Sequence, residues 1–131
     1  MQEVYDFLKK CGTYYLATVD GDKPKVRPFG TVVIFEGKLY IQTGKVKNVS
    51  KQISKNPNIA ITAFDGDRWV RIEATAVNDD RYEAKKFMLD NYPELQNLYK
   101  PDDDNTQVLY LKDATATFES FSSPERKVIK F

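Results

Sequence analysis

The chain has 131 residues, of which 41% are hydrophobic and 30% are charged. This balance is typical of a single folded globular domain, residues 1–131, and argues against a disordered, collagen-like or membrane-spanning chain. Twenty Lys and Arg oppose nineteen Asp and Glu, so the net charge of +1 provides no long-range field for indiscriminate nucleic-acid binding.

Histidine is absent from the sequence. Its absence excludes Ser-His-Asp and Cys-His catalysis, most zinc sites and any imidazole acid or base near neutral pH. Cys11 is the only cysteine, so no internal disulfide can form. The first residues lack the basic and apolar pattern of a signal peptide, and we expect a cytoplasmic protein.

The N-terminal residues predict a short amphipathic helix followed by a β-hairpin. Val4, Phe7 and Leu8 recur at the spacing of three and four that is typical of a helix with one buried face. Gly12 would end this helix in a left-handed conformation. Residues 13–19 are rich in β-branched and aromatic side chains and predict the first strand, which a Gly- and Pro-containing turn follows.

The second predicted strand, residues 25–35, contains Pro28 and Gly30 in its middle. Both residues would interrupt a regular interior strand, so we expect something other than a neighbouring strand to face this stretch. After a Glu-Gly turn, the alternation in residues 38–43 predicts a third strand.

A short basic helix is predicted in residues 44–57, and its final proline enforces its end. Its apolar face would contain Val46, Val49 and Ile53, and its basic face would contain Lys47, Lys51 and Lys55.

The remaining residues predict four more strands and one more helix. Residues 58–64 and 68–77 form a hairpin around an Asp-Gly turn. The helix that follows would begin at a capping box of Asp80 and Glu83. The buried stripe of this helix would contain Ala84, Phe87 and Met88. The last two predicted strands are residues 107–113 and 114–122.

These elements predict a mainly antiparallel β protein. Strands at regular spacing, interrupted by two or three helices, favour a small barrel or sandwich capped by helices over a βαβ sheet. The acidic residues 102–104 lack the spacing and the glycine of a calcium-binding loop, so they are interpreted as an ordinary loop.

A local anion site is predicted where Arg27 approaches residues 43–48. The start of a helix presents unpaired N–H groups and a partial positive charge, and Thr43, Lys45 and Lys47 add a hydroxyl and two cations there. The planar fork of Arg27 could close on the same phosphate in a bidentate manner. On spacing alone, however, these lysines are more typical of the solvated face of an amphipathic helix.

Trp69 differs from the other aromatic residues, which are expected to fill the core. Alternation places it on the strand face opposite Val70 and Ile72, among charged residues. A single tryptophan on an exposed strand face is typical of an interface or a ligand contact.

Residues 26–30, 38–61 and 68–77, in this order, resemble the pyridoxamine 5'-phosphate oxidase-like family of small FMN-binding split barrels. The following helix and strands also fit the family plan, so the resemblance covers nearly the whole chain. It implies a mainly β fold with α-helices, a six-stranded antiparallel split barrel, and a homodimer with two FMN sites at its interface.

The resemblance also implies roles for individual residues. Arg27 matches the family's phosphate-binding arginine, and Pro28 and Phe29 would pass their backbone under the flavin ring. Gln42 and Thr43 fit the pair that ends the next strand, and Lys47 and Asn48 fit the phosphate-binding turn. With the exposed tryptophan, the predicted cofactor-binding set is Arg27, Pro28, Phe29, Gln42, Thr43, Lys47, Asn48 and Trp69.

The chain departs from the family pattern in three features. Members that oxidise pyridoxamine phosphate carry an adjacent basic pair where this chain has Asn48 and Val49, and a longer C-terminal segment that grips the substrate. Nitroimidazole-reductase-like members have a characteristic histidine that this chain lacks. FMN binding therefore fits the sequence better than either of these reactions, and no catalytic acid or base is assigned.

The sequence thus favours an FMN-dependent oxidoreductase acting on a small organic substrate, in which the flavin carries the redox chemistry. The alternative is a non-catalytic flavin-binding or heme-related protein that acts as a sensor or carrier. A nucleic-acid-binding barrel that uses Lys45, Lys47, Lys51 and Lys55 is disfavoured by the net charge, and no membrane partner is expected.

Overall fold

The computed structural model describes all 131 residues. The strands are β1 (Tyr14–Asp20), β2 (Lys23–Phe29), β3 (Val33–Phe35), β4 (Lys38–Gly44), β5 (Asn58–Phe64), β6 (Arg68–Asp79), β7 (Thr106–Ser120) and β8 (Lys127–Lys130). The α-helices are α1 (Gln2–Cys11), α2 (Asn48–Lys55) and α3 (Tyr82–Asn91), and a 3-10 helix spans Pro93–Asn97.

All eight strands belong to one antiparallel sheet, with the order β2-β1-β5-β6-β7-β4-β3 and with β8 paired to β7. This arrangement confirms the mainly β fold of the split-barrel type. The sheet has eight strands, whereas the sequence pattern predicts seven and the resemblance implies six, and β2 and β3 form the two ends of an unclosed path.

Two clusters of buried side chains lie against this sheet. The larger one combines the predicted α1 residues Val4, Phe7 and Leu8 with side chains from α2 and most strands. The smaller one lies under α3 and includes Tyr40 and Met88. Alternate side chains of β4 therefore enter different clusters, and this is why nearly the whole strand is buried.

The predicted strand 25–35 is two strands, because the chain leaves the sheet at Gly30. Pro28 is tolerated since β2 is an edge strand that pairs only with β1. The break is held by tyrosine hydroxyl groups. Tyr14 donates to the carbonyl oxygen of Thr31 at 2.6 Å, and the Tyr92 hydroxyl contacts the nitrogen of Val32 at 2.9 Å and its oxygen at 3.0 Å.

The predicted strands 107–113 and 114–122 form one continuous strand, β7. Asp113, the last residue of the first of these predicted strands, adopts a positive φ of 52°. It lies opposite a register shift between Glu73 and Thr75 of β6, so the left-handed residue makes a bulge instead of ending the pairing.

Two details of the helix predictions are wrong. The N-cap of α3 is Arg81, without a side-chain cap, because the carboxylate of Asp80 pairs instead with Lys45 at 3.2 Å and Lys85 at 2.8 Å. Val46 precedes α2 and is 71% exposed. No helix of the structure has the length and apolar character needed to cross a membrane.

Candidate anion and cofactor site

A cavity of about 800 Å³ lies between β2 and α2. Arg27, Lys47 and Asn48 all line it, so the structure brings the arginine-bearing strand and the start of the basic helix together. Asp20 is the only carboxylate in its lining. The cations that surround the cavity are Lys25, Arg27, Lys47, Lys51 and Lys55.

The guanidinium group of Arg27 is held in a fixed orientation at this cavity. Its Nη1 donates to Thr18 Oγ1 at 2.8 Å and to the carbonyl oxygen of Leu16 at 3.2 Å, and its Nη2 donates to Gln52 Oε1 at 2.8 Å. Three of its five N–H donors are used in this way, and Nε–H and one Nη2–H remain for a ligand. Partial burial lowers the pKa of Arg27 from its ordinary value, yet an arginine remains charged at neutral pH.

The start of α2 offers further donors to the same cavity. Lys47 is the N-cap, and no side chain caps the helix, so the N–H groups of the first turn remain free to contact an anion. None of the ion pairs of the chain involves Lys47, Lys51 or Lys55.

Lys45 does not contribute as the sequence suggested. Its ammonium group pairs with Asp80 at 3.2 Å and with Asp104 at 3.4 Å. The hydrogen bond to Asp80 raises the pKa of Lys45. This cation is therefore committed to carboxylates of the chain.

A second cavity, of about 390 Å³, adjoins the first and shares Arg27, Lys47 and Val49 with it. Its walls include four more of the predicted residues, which are Pro28, Phe29, Gln42 and Thr43. Seven of the eight predicted cofactor-binding residues thus line one or both cavities. They come from β2, from the end of β4 and from the start of α2.

The far wall of the second cavity was missed by the sequence analysis. It consists of residues in and around the 3-10 helix, which are Tyr92, Glu94, Leu95, Leu98 and Tyr99. No local pattern marks these residues, because their place depends on contacts across the chain. The Tyr92 hydroxyl, which bonds to Val32 and accepts from Lys9 at 3.2 Å, anchors this wall.

Trp69 lies elsewhere in the chain and lines neither cavity. Its ring packs against Phe121, with 4.9 Å between the ring centroids, and Phe121 also contacts Phe64 at 6.0 Å. Phe64 and Phe121 are 55% and 77% exposed. Within one copy of the chain, Trp69 is part of this exposed aromatic patch and does not reach the other seven predicted residues.

The two cavities together suit a ligand with an anionic end and a flat apolar end. The cationic cavity, with two free donors on Arg27 and an uncapped helix start, fits a phosphate dianion. The adjoining cavity adds Phe29, Tyr92 and strand backbone, which fit a heterocycle. The residues present therefore fit the two parts of FMN.

Comparison with known proteins gives a consistent result. The family model described as pyridoxamine 5'-phosphate oxidase matches residues 1–119. A NimC/NimA family protein from Clostridium acetobutylicum has 39% sequence identity and a TM-score of 0.95, covering 100% of this chain and 93% of that chain. No match was found among curated proteins.

More distant structures share the fold. General Stress Protein 26 from Bacillus anthracis has 19% identity and a TM-score of 0.78, covering 99% of this chain and 97% of its own. A pyridoxamine 5'-phosphate oxidase-related, FMN binding protein from Nostoc punctiforme has 12% identity and a TM-score of 0.66, covering 99% of this chain and 93% of its own.

Proposed function

Because the chain belongs to the pyridoxamine 5'-phosphate oxidase family, we propose that it is an FMN-dependent oxidoreductase acting on a small organic substrate that is not yet identified. The observation that carries this proposal is the convergence of Arg27, Lys47 and Asn48 on one cationic cavity. The cavity adjoins a second one that could hold a flat ring.

The residues of the cationic cavity would bind the phosphate of FMN. Arg27 would donate through its two free N–H groups, Lys47 would supply a second charge, and the first turn of α2 would supply backbone donors. Thr18 and Gln52 keep the arginine in place. The phosphate would thereby fix where the rest of the cofactor lies.

The second cavity would hold the ring-bearing part of the cofactor. Bound flavin supplies a hydride acceptor at its N5, so the protein needs no histidine. Pro28 and Phe29 would support the ring through the backbone, and Gln42 and Thr43 would flank it. Tyr92 and Leu95 would shield it from water on the far side.

We further propose that the active form is a cytoplasmic homodimer of this single domain, with FMN at its interface. Trp69 lies outside the cavities of its own chain. As a predicted cofactor-binding residue, it would contact the flavin bound by the partner. The exposed patch of Phe64, Trp69 and Phe121 is consistent with burial in such an interface.

Absorption spectroscopy of the purified protein tests the proposal. We expect flavin bands, and mass identification of the released chromophore as FMN. Oxidation of NADH or NADPH with an added acceptor would then support an oxidoreductase. Bound FMN that is reduced by dithionite but by neither nicotinamide would favour the non-catalytic alternative. A colourless protein that does not bind added FMN would refute both.

A further inference from the structure

The turn that precedes α2, residues 44–47, is held by a residue that is distant in the sequence. Asn105 accepts hydrogen bonds from two consecutive N–H groups of this turn. Its carbonyl oxygen lies 2.7 Å from the nitrogen of Lys45, and its Oδ1 lies 3.2 Å from the nitrogen of Val46. The next N–H, that of Lys47, donates to the carbonyl oxygen of Gly44 at 3.0 Å. Asn105 thus fixes the backbone on the N-terminal side of Lys47.

Asn105 is itself held by the loop before β7. Asp103 Oδ1 accepts from the nitrogens of Asn105 at 2.8 Å and Thr106 at 2.7 Å, and Oδ2 accepts from the nitrogen of Lys100 at 2.9 Å. Although local desolvation opposes ionisation, these backbone donors lower the pKa of Asp103 to about 2. The carboxylate is therefore ionised at neutral pH and keeps the loop closed.

The loop approaches the turn closely because Gly44 has no side chain. A Cβ atom at Gly44 would lie 3.0 Å from the hydroxyl oxygen of Tyr99 and 3.2 Å from Asn105 Nδ2. Any larger residue would push Tyr99 and Asn105 away from the turn. The close approach of the loop to the turn therefore depends on the absence of a side chain at residue 44.

We propose that Asn105 is a positioning residue that holds Lys47 and the start of α2 toward the flavin phosphate, and that it thereby sets the preference for FMN over riboflavin. This role rests on the proposed function, because it needs a flavin in the site. Riboflavin lacks the phosphate, so its affinity depends little on where Lys47 lies. Loss of Oδ1 leaves the Val46 N–H without its acceptor and frees the residue directly before Lys47.

The test compares the dissociation constants of FMN and riboflavin, measured by flavin fluorescence, in the wild-type protein and in Asn105→Ala. We expect the FMN preference to fall at least ~threefold, the effect of one lost hydrogen bond, with riboflavin affinity nearly unchanged. Asn91→Ala is the matched control, since Asn91 also makes one side-chain hydrogen bond to the backbone, at 2.8 Å to Phe87, away from both cavities.

Asn105→Ser provides the same test if Asn105→Ala does not fold, because it also removes Oδ1, and we expect the same loss of preference. An unchanged preference, or a parallel loss of affinity for both flavins, would overturn the positioning role while leaving the proposed function intact. Wild-type protein that binds neither flavin would instead refute the proposed function, and the positioning role with it.

Discussion

The Nη2 atom of Arg27 donates a hydrogen bond of 2.8 Å to Oε1 of Gln52, which joins the edge strand β2 to the basic helix α2. The same oxygen accepts from the hydroxyl of Thr18 at 2.6 Å. Gln52 therefore aims the guanidinium group at the cavity without adding a negative charge to it.

Replacement of Gln52 tests this relationship. We expect Gln52→Ala to weaken FMN binding about threefold, because Arg27 loses one orienting hydrogen bond. Gln52→Glu should weaken it further, since a carboxylate would compete with the phosphate for Arg27. The difference between the two variants should shrink as the salt concentration rises. Equal affinities of the two variants for FMN in titrations at low salt would argue against a phosphate beside Arg27.

Removal of both cations at the cavity should be more severe. We expect the double variant Arg27→Ala with Lys47→Ala to lower FMN affinity at least tenfold, because each substitution removes a charge-assisted contact worth about 1.5–3 kcal/mol. The control is Lys112→Ala with Lys130→Ala, which changes the net charge equally at two exposed residues outside both cavities. FMN retention after gel filtration that is equal in the two double variants would remove the phosphate assignment.

The proposed dimer can be tested by complementation between two defective chains. Arg27→Ala would damage the phosphate site but keep Trp69, and Trp69→Ala would do the reverse. If each flavin site takes Arg27 from one subunit and Trp69 from the other, refolding equal amounts of the two variants together should restore FMN binding at about one quarter of the sites. Titration with FMN counts them. No recovery on mixing, with dimers confirmed by light scattering, would contradict a site shared in this way.

The buried carboxylate of Asp79 predicts a pH-dependent contribution to stability. Hydrogen bonds from Arg81, at 2.9 and 3.0 Å, and from the hydroxyl of Tyr40, at 2.6 Å, lower the pKa of Asp79 below its ordinary value despite partial burial. A lowered pKa in the folded state means that this stabilisation is complete above the ordinary aspartate pKa of about 4 and is lost as the pH falls below it.

We therefore expect Asp79→Asn to lower the free energy of unfolding by about 1–3 kcal/mol at pH 7, because charge-assisted bonds to a buried group are lost. The difference from wild type should shrink as the pH falls through about 4 to 2. Urea unfolding at several pH values measures the loss of stability at pH 7 and its change with pH. Asp102→Asn, at an exposed loop residue, serves as the control. A difference that persists unchanged in acid would show that charge is not the cause.

Local patterns predicted much of the fold. The spacing of Val4, Phe7 and Leu8 identified the buried face of α1, since a helix repeats every few residues regardless of its partners. Where strands begin and end depended on distant partners instead. Gly30 ends β2, whereas Asp113, where one predicted strand ended and the next followed, is absorbed as a bulge in β7.

The candidate site also contains some residues that local patterns could identify and others that only the folded chain brings together. Arg27 and Lys47 could be selected from charge and from the predicted start of a helix, and both line the cavity. Tyr92 and Tyr99 could not, because their place follows from contacts with Val32 and Gly44, more than fifty residues earlier in the sequence.

The long strand β7 has a consequence for synthesis on the ribosome. It pairs with β6, β8 and β4, and it is the only neighbour of β4 besides the three-residue strand β3. Until residues 106–110 emerge, one edge of β4, which contains Leu39, Tyr40 and Ile41, remains unpaired. The nascent chain therefore carries an open edge that favours aggregation while residues 45–105 are made, and protection of that edge by a chaperone would favour a high yield of folded protein.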